Sequence, residues 1–90
     1  MTKAELVKEI SQTTGTDSVT ILSVIESFMS EVKSSLERGD EVTLRSFGTF
    51  CLKHRAEKVA RNLSLNTSMV IPEHDIPSFK PSTEFLKRLK

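Results

Sequence analysis

Residues 39–66 read GDEVTLRSFGTFCLKHRAEKVARNLSLN, and the fold is decided where the hydrophobic period changes inside this stretch. Val42 and Leu44 alternate with Glu41, Thr43 and Arg45, the two-residue period of a half-buried strand. Ser46-Phe47-Gly48 reads as a turn, with Gly48 available for a positive φ. Thr49 to Lys53 reads as a second strand, with Phe50 and Leu52 facing inward and Cys51 outward. Arg55, Lys58 and Arg61 follow, with almost nothing large and apolar until Leu63 and Leu65. Met69-Val70-Ile71 then returns to a strand-like run ahead of Pro72. Two extended segments flanking Asn62-Leu63-Ser64-Leu65-Asn66 predict a long basic hairpin from about Lys53 to Ile71, its turn suited to Asn in the left-handed region. So polar a hairpin buries too little to stand alone, and it either lies on a partner or stays mobile until one arrives.

Upstream of Gly39 the period is helical. Thr2 and Glu5 form a capping box ahead of Leu6, Val7 and Ile10, predicting a helix from Lys3 to about Thr13 that stops near Thr14-Gly15. Asp17 caps a longer helix, about Ser18 to Arg38, whose apolar face carries Leu22, Ile25, Phe28, Met29, Val32 and Leu36. The two form a helical hairpin. Downstream, Ile76-Pro77-Ser78-Phe79-Lys80-Pro81 reads as an extended connector, because each proline biases its predecessor away from the helical region. Ser82 or Thr83 can cap a final short helix, Glu84 to Leu89. The expected class is α+β: an N-terminal helical hairpin, an antiparallel β-sheet with a long protruding arm, and a short C-terminal helix. One domain spans 1–90, divided as 1–39, 40–81 and 82–90.

With 90 residues the core is small, and Cys51, the only cysteine, excludes a disulfide framework. The two histidines, His54 and His74, make no ligand cluster, so no metal or cofactor is expected. What remains is either very good packing or an obligate partner chain, and a partner chain is expected. No apolar run reaches the ~20 residues of a membrane span, and a cytoplasmic location is expected. The net charge of +1 conceals an asymmetry: residues 1–44 hold four Lys/Arg against eight Asp/Glu, residues 45–90 nine against four. The second half therefore suits a polyanion.

Catalysis finds no constellation of titratable groups, and His74-Asp75 reads as solvated loop. No catalytic residue and no small-molecule substrate are expected. DNA binding has a concrete mechanism instead. A two-stranded ribbon enters a groove of the duplex, and Lys53, Arg55, Lys58 and Arg61 face the flanking phosphates. Strict alternation puts Lys53, Arg55 and Arg61 on one ribbon face and Lys58 on the other; strong twist, or a bulge near Glu57, would reunite them. At the tip, Leu63 and Leu65 are either turn residues against the neighbouring strand, a partner-facing patch, or an apolar wedge between base steps.

Gly39-Asp40-Glu41-Val42, Phe47-Gly48-Thr49-Phe50, Arg55-Ala56, Arg61-Asn62, Ile71-Pro72 and Pro77-Ser78-Phe79-Lys80-Pro81 together resemble the HU and integration host factor family of bacterial histone-like DNA-binding proteins. The resemblance runs the whole chain. It implies an intertwined dimer whose arms reach around double-stranded DNA in the minor groove, bend it with little sequence specificity, and organise the bacterial nucleoid. It places Lys53, Arg55, Lys58 and Arg61 among the arm contacts, Asn62, Leu63 and Ser64 at the tip, and Lys3, Ser46, Phe47, Gly48 and Lys80 among contacts from the body. Leu63 stands where the family has an intercalating proline, Asn66 where it has a tip glycine, Ala60 for glycine and Lys58 for arginine. A homodimer is expected, with a heterodimer as the variant. The alternatives to this function are a more site-selective subunit of the integration-host-factor kind, or a relative whose arm docks on a protein.

Overall fold

The structure, a computed structural model, describes residues 1–62 and 67–89, with 61 and 62 described by their backbone alone. Its elements are α1 (Lys3–Thr14), α2 (Ser18–Glu37), β1 (Val42–Leu44), β2 (Gly48–Arg55), β3 (Lys58–Asn62), β4 (Thr67–Ile71), β5 (His74–Pro81) and α3 (Thr83–Arg88). The chain divides into two compact units, Met1–Ser34 and Ser35–Lys90.

In the first unit both helices begin on side-chain caps. Thr2 Oγ1 accepts the Glu5 amide at 3.2 Å and donates to the Glu5 carboxylate at 3.3 Å, so the acid takes the hydroxyl proton and not the backbone N–H of a standard capping box. Gly15 ends α1 at φ +74°, its N–H bonded to the Ser11 carbonyl. Asp17 starts α2 by accepting the Val19 amide at 2.9 Å and the Thr20 hydroxyl. Those bonds, the Thr20 bond foremost and the Val19 amide next, favour the carboxylate and hold the Asp17 pKa below its ordinary value. Val7 and Ile21 are buried, and an ion pair joins Lys3 to Glu26.

The predicted stripe along α2 is only partly covered. Leu36 is buried, Ile25, Met29 and Val32 are half-buried, and Leu22 and Phe28 remain 40% exposed. Among the described residues no side chain is fully enclosed. A single chain of this size leaves much of its apolar surface in water.

The second unit is built on a three-stranded antiparallel sheet, order β1-β2-β5, and a two-stranded ribbon, β3-β4. Three sequence expectations change here. The segment read as a connector is strand β5, paired with β2 from Gly48↔Pro81 to Arg55↔His74. Pro77 and Pro81 are four residues apart and point their nitrogens the same way, and as β5 is an edge strand those nitrogens face away from β2, where no ladder bond is lost. Second, the positive φ in the β1–β2 turn belongs to Ser46 (φ 68°), not Gly48. Gly48 is buried in the strand because a Cβ there would sit 2.5 Å from the Phe79 ring and 2.6 Å from the Lys80 carbonyl. Third, burial does not alternate as expected: Phe50 and Cys51 are both half-buried, and Leu52 is 38% exposed.

Aromatic rings pack this unit. Phe79 lies 5.0 Å from Phe47 and 5.1 Å from Phe50 between centroids, and Phe47 stacks on Phe85 of α3 at 5.5 Å. The Phe47 N–H donates to the Leu44 carbonyl and its own carbonyl accepts from Ser82. Ser82, of the two caps considered, starts α3 by accepting the Phe85 amide at 3.1 Å.

Candidate nucleic-acid interface

The basic arm is two ladders laid end to end. β2 and β5 pair as far as Arg55↔His74, and β3 and β4 resume at Lys58↔Ile71 and continue to Asn62↔Thr67. Two residues stand between the ladders on each side, Ala56-Glu57 and Pro72-Glu73. Pro72 has no N–H to donate, which removes a possible ladder bond at this step. Because the count is equal on both strands, no bulge is present and the register passes through unchanged.

That register decides which side chains share a face, since successive residues of a strand alternate. Lys53 and Arg55 lie with their cross-strand neighbours Ile76 and His74, and His54 lies on the opposite face with Asp75. His54 Nδ1 is 2.9 Å from an Asp75 carboxylate oxygen, and Nε2 is 3.3 Å from one of Glu73. The bond to Asp75 first, and that to Glu73 second, raises the His54 pKa above its ordinary value. The root of the arm thus has a cationic face and a face on which one histidine engages both nearby carboxylates. His74-Asp75, expected as solvated loop, is part of this strand pair.

Past the interruption, Lys58 and Arg55 line one hollow with Ala56, Ile71 and His74, although alternation alone separates them. The two cations meet at the interruption with no inserted residue on either strand. Among the described residues neither Lys53, Arg55 nor Lys58 has a carboxylate within ion-pair distance. Arg61 and Asn62 pair with Ser68 and Thr67. Leu63, Ser64 and Asn66, which carry the tip expectations, lie outside the described residues.

The body candidates fall into two places. Ser46, Gly48 and Lys80 line a hollow of about 460 Å³ beside the β1–β2 turn, together with Arg45, Thr49 and Thr83. Phe47 is instead committed to the aromatic cluster through its ring, and both its backbone groups are bonded within the chain. Lys3 lies in the first unit, paired with Glu26, so an anion there has to replace a carboxylate. Sequence reasoning missed Arg45, His54 and His74. Arg45 was visible as a cation beside a turn, whereas the two histidines take their roles from partners across a ladder. No described helix is long and apolar enough to cross a membrane, and no group of three or more potential metal ligands occurs among the described residues.

Residues 1–90 match the family described as bacterial DNA-binding protein. Integration host factor subunit beta of Shewanella loihica is 31% identical over 90 residues, covering 99% of this chain and 95% of that protein. An HU–DNA cocrystal structure from Anabaena superposes with a TM-score of 0.92 at 27% identity, covering 99% of this chain and 97% of that one. HU from Thermotoga maritima, 18% identical with full coverage of both chains, shares the fold at a TM-score of 0.71.

Proposed function

The chain belongs to the bacterial DNA-binding protein family, the HU and integration host factor group of histone-like proteins, and from that premise we propose that it is an architectural protein that grips double-stranded DNA with the arm and bends it. The observation that carries this reading is the pair of in-register ladders bearing Lys53, Arg55 and Lys58 without carboxylate partners among the described residues. A ribbon fits a groove, and cations along it displace the counterions condensed on the phosphates. The body contributes Lys80, Ser46 and Gly48 at the turn hollow, and Lys3 from α1. Phe47 supports that turn from behind.

Four cations on each of two arms, not all engaged, give a log–log salt slope of roughly −4 to −7. Gel shifts of a linear duplex across a salt series test this. Absence of retardation even at low salt rules the reading out. A second copy of the chain is proposed to cover Leu22, Phe28 and the half-buried positions of α2, forming the dimer that presents two arms. The relatives named as a beta subunit favour one further possibility, pairing with a non-identical sister chain and greater site selectivity. The mass of the purified chain in solution separates the two. Leu63 at the tip is proposed as the wedge in place of a proline, with Asn62 and Ser64 beside it. Leu63→Ala then reduces bending, measured by circularisation or energy transfer, while the salt slope stays; equal bending by the variant removes Leu63 from the role.

A further inference from the structure

The hollow at the interruption of the arm, about 380 Å³, is lined by Arg55, Ala56, Lys58, Ile71 and His74. Its polar lining is cationic or able to become so. Arg55 reaches it from β2, Lys58 from β3 and His74 from β5. The acids nearest in sequence are elsewhere: Glu57 does not line the hollow, and Glu73 and Asp75 are engaged by His54. Three such groups around one space, without a carboxylate among the described residues to balance them, fit an oxyanion.

The imidazole of His74 is already oriented. Its Nδ1 lies 2.9 Å from the Pro72 carbonyl oxygen, which can only accept, so Nδ1 carries the hydrogen. Nε2 is then a lone pair in the neutral ring and a donor only in the protonated one. Among the described residues Nε2 has no hydrogen-bond partner.

We propose that His74 is a further DNA-contact residue: with Arg55 and Lys58 it holds one backbone phosphodiester in this hollow, and its Nε2 donates to that phosphate after taking a proton from solvent. The proposal rests on the reading that the arm engages DNA. Its consequence is a linkage, because a phosphate at Nε2 favours the protonated ring. Affinity therefore rises as pH falls. His54 lies on the opposite face of the ladder with Asp75 and does not line the hollow.

The test uses the full chain and one linear duplex in salt series at pH 6 and pH 8, with His74→Ala, His74→Lys and His54→Gln. The expected result is several-fold tighter binding by the unaltered protein at pH 6, with a slope steeper by about one per arm. His74→Ala removes that difference; His74→Lys binds at pH 8 as the unaltered protein does at pH 6; His54→Gln keeps the pH response. An undiminished pH response in His74→Ala overturns the assignment while leaving the arm as the DNA-binding element. Failure of the unaltered protein to bind the duplex at all overturns the arm reading itself.

Discussion

The lower ladder, β2 with β5, and the upper one, β3 with β4, share a single register but are held by different forces. The lower ladder carries Phe50 and Phe79, packs against Phe47 and Phe85, and has at Gly48 a position with no space for a methyl group. The upper ladder exposes Val59, Met69 and Val70 at 60% or more and relies on backbone pairing. The lower ladder concentrates stabilising contacts at its Gly48 end and carries Lys53 and Arg55 toward its outer end, and the upper continues the same register outward with Lys58. The packed end and the proposed binding residues are therefore separable along one hairpin, and substitutions show where the division falls.

The largest effect is expected at the packed end. Gly48→Ala forces a Cβ against the Lys80 carbonyl, which is backbone and cannot swing aside. Overpacking of this kind costs about 3 kcal/mol, and for a domain of this size lowers the melting temperature by about 15 °C. A melt within a few degrees of the unaltered protein breaks the comparison at its stronger side. The double substitution Arg55→Ala with Lys58→Ala comes next and reads out differently. The salt slope of DNA binding becomes shallower by about two per arm, and the melting temperature stays put. If the melt falls as far as it does for Gly48→Ala, the arm is part of the core after all.

His54 sharpens the boundary through pH. Asp75 and Glu73 raise its folded pKa above the unfolded value, so the protonated histidine is the stabilising form. Its contribution is full below the ordinary histidine pKa and is lost as pH rises through the higher folded one. The effect is small because all three side chains are more than half exposed. Amide exchange at the Arg55↔His74 end of the lower ladder should quicken with rising pH, once corrected for intrinsic rates, and His54→Gln should remove that response. A response that persists in the variant assigns it to another group. The smallest effect belongs to Val70→Thr, an exposed strand position, whose stability change should stay within about 0.5 kcal/mol in chemical denaturation.

What the sequence made legible follows from range. Thr2, Gly15 and Asp17 act within a few residues of themselves, and the helices they bound begin and end within a residue or so of expectation. The change of period at Asp40 likewise announced the sheet. Roles set across the ladder were hidden. β5 passed for a connector because its prolines argue against a central strand, and only the strand order shows that it lies at an edge. Gly48 looked like a turn glycine, when its lack of a Cβ matters to a ring 31 positions away in the chain. His54 is 21 residues from Asp75 and 19 from Glu73, so nothing local marks them as partners. Of the candidate site, the cations Lys53, Arg55 and Lys58 were legible as a basic run on extended chain. That they have no carboxylate partner among the described residues, and that Arg55 meets Lys58 in one hollow, needed the register and the three-dimensional arrangement.

The two prolines of β5 have a consequence for crowding. An open sheet edge is a template on which another chain can zip, and proteins held at high local density are the most exposed to that hazard. Pro77 and Pro81 leave this edge without donors at two positions four residues apart, so an incoming strand meets a broken row of hydrogen-bonding groups. The segment that looked least like a strand thus carries the residues that discourage a further strand at this edge.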